Sequence, residues 1–305
     1  MTRPRRSILS VPGHVEKMHA KAAASPVDVI MLDLEDSVPL AAKEGARRQV
    51  IQSLRSVEWQ SKTVTVRING IDSAFAHQEL IEITAAAGDL LDTIVVPKVN
   101  HPGDIHFVSR MLDGIERAEG MTRPIGIEAS IETTEGLAAA MRIARASDRL
   151  RTLVFGIADY SASVGARLVS ISGHGEKEEE IYPGDRWHFA LSRLVMAAKA
   201  NGLMAIDAPY GNFKDPQGLK KAASKSCALG CDGKWAIHPA QIETINQVFS
   251  PSAEEIQRAL KIIQASEVAK AKGLGAVAVE GRMVDQATVR LAHQLHARAR
   301  HLGLV

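Results

Sequence analysis

Aromatic side chains make up only 4% of this 305-residue chain, so its interior must be built from Ala, Val, Ile and Leu. That palette suits stacked helices and strands buried on both faces. Cysteine is nearly absent. Cys227 and Cys231 are too few and too close together for a disulfide framework, and a lone C-x3-C makes no zinc site. They read as reduced thiols of a cytoplasmic protein. No run approaches the about 18 apolar residues that mark a membrane span. The start, "MTRPRRSILSVPG", is basic but has no apolar stretch of signal length. An excess of one charge is lacking too. The 37 basic residues nearly balance 35 acidic ones, which argues against a nucleic-acid partner. No G-x-G-x-x-G follows the first strand candidate, which counts against a dinucleotide domain.

What is present is a hydrophobic content of 46%, enough for a large core. Eight short β-branched runs recur, with helix-like stretches between them. They are "SILSV" (7–11), "VDVIMLDL" (27–34), "TVTVRI" (63–68), "TIVVPKV" (93–99), "PIGIEASI" (124–131), "TLVFGI" (152–157), "LMAIDA" (203–208) and "GKWAIH" (233–238). Such alternation predicts βα units and a parallel sheet. Eight of them match a closed (β/α)8 TIM barrel of about 250 residues, with an open doubly wound sheet as the fallback. Residues 1–250 would form the barrel. Residues 251–305 would form a C-terminal helical extension, a lid or an arm onto a neighbouring subunit. Its first helix has Ser252 as cap and Glu255 at capping-box spacing. The polar stretch 170–185, "SISGHGEKEEEIYPGD", reads as an inserted loop.

Reactive groups in parallel barrels gather at the C-terminal ends of strands. Those ends carry Asp33, Glu35, Asp36, Arg67, Asn69, Lys98, Glu128, Glu132, Asp159, Asp207 and His238. Hard oxygen donors without a Cys/His set favour Mg²⁺ over zinc. Glu132 and Asp159 are the candidate ligands; the competing reading makes Glu132 a helix N-terminal acid. Glu128 shares a face with Glu132 but lies about 13 Å deeper. It is expected to pair with Lys98 or Arg67. Arg67 suits a bidentate grip on a substrate carboxylate. The alternative for it is an ion pair with Glu35 or Asp36.

Together, "RRSILSVPG" (5–13), "DVIMLDLEDSV" (28–38), "VRIN" (66–69), "VPKV" (96–99), "IEASIETTEG" (127–136), "FGIADYSASVG" (155–165), "KWAIHPAQI" (234–242) and "GRMVD" (281–285) resemble the citrate lyase β-subunit-like acyl-CoA lyases of the HpcH/HpaI aldolase superfamily. The "IEASIE" form, the Tyr-Pro-Gly-Asp insertion and "AIDAPYGNFKDP" look most like the malyl-CoA and β-methylmalyl-CoA lyases. The resemblance implies a Mg²⁺-dependent barrel, with Mn²⁺ as a substitute ion, acting on a CoA thioester. The keto-acid partner is glyoxylate, or pyruvate in a citramalyl-CoA lyase. It further implies a homotrimer or homohexamer. Carried over, Glu132 and Asp159 hold the metal and Arg67 clamps the keto-acid carboxylate. Asp285, on the lid of an adjacent subunit, is the catalytic acid/base. Lys21 meets the CoA phosphates, and the backbone around Ile237 and His238 lines the thioester end. Ala158 and Asp159 offer backbone N–H groups to the enolate oxygen. Val15 stands where some relatives carry an arginine for CoA. Two other readings stay open: a malyl-CoA thioesterase, and a non-catalytic CoA-binding barrel. The complete set of Arg67, Glu132, Asp159 and Asp285 disfavours the second.

Overall fold

The computed structural model describes residues 3–59, 62–167, 185–271, 273 and 277–305. Eight parallel strands, taken in sequence order, close into a barrel, with the eighth hydrogen-bonded to the first. They are β1 (Ser7–Pro12), β2 (Val29–Asp33), β3 (Thr63–Arg67), β4 (Thr93–Val96), β5 (Gly126–Ile131), β6 (Leu150–Phe155), β7 (Met204–Asp207) and β8 (Gly233–Ala236). All eight expected strands form. Their near-continuous apolar sequence follows from burial on both faces. Ile8, Val29, Met31, Val95, Val154, Ile206 and Trp235 cluster as a buried core.

Six strands stop one to three residues short of their expected ends, and at β4 and β8 the local reasons are plain. Beyond Val96, Pro97 has no N–H to give to a ladder, and Lys98 takes a left-handed backbone with φ of 50°. Beyond Ala236, His238 instead starts a 3₁₀ turn over Pro239–Gln241. Both residues therefore leave the sheet and enter the loops at the barrel mouth.

At the opposite end, Glu128 corrects an expectation. Its partner is neither Lys98 nor Arg67. Its Oε1 accepts from Arg5 Nη1 at 2.6 Å and from Thr93 Oγ1 at 2.5 Å. Arg5 precedes β1, so this pair lies where the strands begin.

The chain divides into two compact units, Met1–Asn246 and Gln247–Val305. In the second, the Ser252 capping box is present. The Ser252 N–H donates to Glu255 Oε2 at 2.7 Å, and the Glu255 N–H donates to Ser252 Oγ at 3.1 Å. The helix they start, Ala253–Ala271, packs on a final helix, Gln286–His301. Between them lies a small antiparallel hairpin, Val277–Val279 with Arg282–Val284. Its two-residue turn puts Glu280 and Gly281 at positive φ, as a hairpin of this twist requires. The expected loop over 170–185 lies outside the described residues, apart from Asp185. Among the described residues, no helix is long and apolar enough to cross a membrane.

Candidate active site at the barrel mouth

Inward alternation along β2 (Val29, Met31, Asp33) delivers a carboxylate to the end of the strand. Asp33 and Arg67 are register partners across β2 and β3. Arg67 Nε donates to Asp33 Oδ1 at 2.6 Å and its Nη2 donates to Asp33 Oδ2 at 2.7 Å. The bidentate grip expected for a substrate is thus made on Asp33. Asp33 also accepts the N–H groups of Glu35 and Ser37, which fixes the acidic turn. Arg67 Nη1 lies 2.7 Å from Glu35 Oε2 and 3.4 Å from Asp36 Oδ2. The guanidinium stands 5.5 Å from the Trp235 ring centroid, a cation–π contact on its apolar side.

These contacts decide the charges. Burial pushes the Asp33 carboxyl up, but the charge and hydrogen bonds of Arg67 outweigh it and hold it below the usual range. Burial also works against the Arg67 cation, and Asp33 and Glu35 more than compensate, so the guanidinium is held charged. Glu35 ends above its ordinary range, mainly through burial.

Lys98 joins this group from β4. Its Nζ donates to Glu35 Oε1 at 2.5 Å. Burial alone would lower the ammonium, but the Glu35 carboxylate raises it above its ordinary value. A lysine held so firmly as a cation is ill suited to form a Schiff base, which needs the free amine.

Glu132 follows directly on β5 and is 3% exposed. Thr133, not Glu132, caps the next helix, by accepting the Gly136 N–H at 2.9 Å. Glu132 is therefore not spent on the helix end. Its Oε1 accepts the Lys98 backbone N–H at 2.6 Å. Its Oε2 makes no hydrogen bond with a described residue. Burial, then the nearby Glu35 charge, push its carboxyl up to about 7, with Asp159 adding to the effect. Room for it exists only because residue 156 is glycine. A Cβ there would fall 2.2 Å from Glu132 Oε2 and 2.3 Å from its Cβ.

Ala158 and Asp159 lie in the first turn of the short helix Ile157–Ser163, whose leading N–H groups have no intrahelical acceptor. At β8, the N–H groups of Ile237 and His238 donate to Gln241 Oε1 at 2.9 and 3.3 Å. Those amides are already used, so it is the exposed Ile237 side chain that remains available. The His238 ring stacks on Phe213 with centroids 4.7 Å apart. Lys21 is exposed in the last turn of the helix Glu16–Ala23.

Asp285 belongs to the second unit. Its carboxylate caps the last helix, accepting from the Thr288 N–H at 2.9 Å and Thr288 Oγ1 at 3.0 Å. Those hydrogen bonds, the backbone one first, hold its carboxyl below the ordinary range.

The residues that strand-end reading did not assign are Asp33 as the partner of Arg67, Glu35 as the bridge to Lys98, Trp235 and Gly156. The first was findable from the inward alternation of β2. Gly156 gave no signal, because what matters is the volume it leaves.

A closed (β/α)8 barrel whose mouth gathers carboxylates around a buried arginine and a lysine defines the class: a barrel with its polar groups collected at the C-terminal ends of the strands, where such barrels carry their active sites. Within that class, residues 6–239 match the HpcH/HpaI aldolase/citrate lyase family, and the chain belongs to it. It is 39% identical to the L-malyl-CoA/β-methylmalyl-CoA lyase of Cereibacter sphaeroides, over 97% of this chain and 95% of that one. It is 35% identical to the malyl-CoA/β-methylmalyl-CoA/citramalyl-CoA lyase of Chloroflexus aurantiacus, over 99% and 89%. Among solved structures, CitE of Mycobacterium tuberculosis in complex with magnesium, acetoacetate and coenzyme A is 28% identical. That match has a TM-score of 0.78 and covers 98% of this chain and 99% of the other.

Proposed function

We propose that this protein is a Mg²⁺-dependent acyl-CoA lyase. It cleaves or forms the carbon–carbon bond of malyl-CoA or β-methylmalyl-CoA, giving acetyl-CoA or propionyl-CoA and glyoxylate. The observation that carries the reading is Glu132. It is a buried carboxylate with one oxygen held by a backbone N–H and the other unbonded among the described residues. The family and the names of the relatives support it.

The residues fit a hard divalent ion. Glu132 and Asp159 offer only oxygen. That suits Mg²⁺, or Mn²⁺ in its place, which takes one or two carboxylates and leaves its other positions to water and substrate. When bound, such an ion supplies Lewis-acid stabilisation of developing oxygen charge.

The chain's own groups do the rest. Arg67 spends its Nε and one Nη2 hydrogen on Asp33. Its Nη1 faces Glu35 and Asp36, so the second Nη2 hydrogen and the charge of the guanidinium remain to hold the keto-acid carboxylate in register. The first-turn amides of Ala158 and Asp159 donate to the thioester enolate oxygen. Asp285 takes a proton from the acyl carbon in condensation and returns it in cleavage. It is supplied by the lid of an adjacent subunit in a homotrimer or homohexamer. Lys21 meets the CoA phosphates, and Ile237 and His238 line the thioester end. The protein works in the cytoplasm.

The Chloroflexus relative, whose name includes citramalyl-CoA, favours pyruvate as a second keto acid. One methyl is worth only about 1–3 kcal/mol in a pocket, so a single site can accept both. The test incubates purified protein with Mg²⁺, acetyl-CoA or propionyl-CoA, and glyoxylate or pyruvate, and reads products by mass. A condensed acyl-CoA is the expected result. No condensation, with free CoA released from malyl-CoA, would replace the lyase by a thioesterase.

A further inference from the structure

We infer that Lys98 is a positioning residue that sets the proposed metal ligand Glu132 against the proposed carboxylate clamp Arg67; the inference rests on the reading of the mouth just given. One residue holds both. Its backbone N–H donates to Glu132 Oε1 at 2.6 Å, while its ammonium donates to Glu35 Oε1 at 2.5 Å. Glu35 Oε2 in turn lies 2.7 Å from Arg67 Nη1. No other described residue links the two sides of the site by contacts of this length.

The backbone of Lys98 is strained for the purpose. Its φ is 50°, left-handed, in a residue that carries a Cβ. Such a conformation is costly in a residue with a Cβ and persists only where neighbours over-determine it. Here they do. Pro97 precedes it with a fixed φ. Val99 N–H donates to Ser130 O at 3.1 Å. The Val99 carbonyl lies so close to Gly136 that a Cβ there would approach to 2.3 Å. Thr133 Oγ1 donates to Asn100 Oδ1, tying the loop to the cap of the following helix. An ordinary extended residue at 98 would send the following chain away from Ser130, which accepts the Val99 N–H. A glycine would hold the turn with less strain, but only a side chain with a cation also reaches Glu35.

The two links make different predictions. The backbone link survives any side-chain change that keeps the turn. The ammonium link does not. Without it Glu35 keeps only Arg67, and the guanidinium is drawn off the keto-acid position. Lys98→Met and Lys98→Gly are therefore expected to bind Mg²⁺ within threefold of wild type by calorimetry. Glyoxylate binding in the presence of Mg²⁺ is expected to weaken at least tenfold. In turnover the defect is expected as a raised KM for glyoxylate with kcat within threefold. Lys98→Gly relieves the left-handed backbone, so its melting temperature is expected to equal or exceed that of wild type, which separates the defect from misfolding. Glu132→Gln is the control and is expected to lose Mg²⁺. A Glu132→Gln variant that takes up Mg²⁺ normally would overturn the reading of the mouth and this inference with it. If Glu132→Gln loses Mg²⁺ while both Lys98 variants bind glyoxylate within twofold of wild type, this inference alone falls. It falls equally if Lys98→Gly loses Mg²⁺.

Discussion

Glu132 and Arg67 are buried to a similar degree and have opposite electrostatic fates. Arg67 is surrounded by carboxylates and is held charged. For Glu132, burial and two acidic neighbours outweigh one backbone donor and the Arg67 charge, so its carboxyl is pushed up to about 7. The difference from an ordinary glutamate is worth on the order of 3 kcal/mol. The sign is definite. Between pH 4.5 and about 7 the metal-free native state holds a proton that the unfolded chain has released. This group's contribution to stability therefore falls as pH rises through that window. A cation must displace the same proton. Mg²⁺ affinity is expected to drop as pH falls below about 7, with proton release visible by calorimetry in buffers of different ionisation enthalpy. An affinity that is flat from pH 5.5 to 8 would contradict the assignment. For Arg67, a lysine keeps the charge but not the fork. Losing one charge-assisted hydrogen bond costs about 1.5–3 kcal/mol, so Arg67→Lys should raise the glyoxylate KM roughly 10- to 100-fold.

At the scale of elements, much was legible. Short β-branched apolar runs mark all eight strands, and a Ser-x-x-Glu spacing marks the helix at Ala253–Ala271. Candidate mouth residues followed from strand ends alone. What was not legible depends on where chain segments meet. Arg5 lies 123 positions from Glu128, and no local pattern links them. The role of Gly156 was hidden for the same reason, since it faces Glu132 of another strand end. Gly156 matters through an absent Cβ, so Gly156→Ala is expected to push Glu132 aside and abolish Mg²⁺ uptake, with a lowered melting temperature because the new methyl also meets Glu132 Cβ at 2.3 Å. Asp285 has a second task that the sequence did not disclose, the capping of a helix. Asparagine caps as well as aspartate. Asp285→Asn should therefore keep the melting curve and lose turnover and not Mg²⁺ binding. Asp285→Ala should lose both cap and turnover. Full activity in the asparagine variant would remove Asp285 from the chemistry.

For the whole molecule, Glu128 on β5 and Glu132 directly after it lie toward opposite faces of the barrel. A barrel of this kind reserves the C-terminal face for chemistry and the other face for stability. One strand here carries a buried carboxylate to each face. Glu128 and Arg5 form an ion pair in which both side chains are nearly inaccessible, at 1% and 9% exposure. Removing one partner of such a pair leaves the other buried and unpaired, at a cost of about 3–5 kcal/mol. Glu128→Ala is therefore expected to lower unfolding free energy by about that amount in denaturant titration, with Mg²⁺ affinity and glyoxylate KM unchanged. Glu132→Gln should do the reverse, because it removes a charge that burial disfavours. It should leave stability unchanged or raised near pH 8, and it should remove Mg²⁺ binding. The crossed result, stability lost at Glu132 and metal binding lost at Glu128, would mean that the functional face of this barrel has been placed at the wrong end.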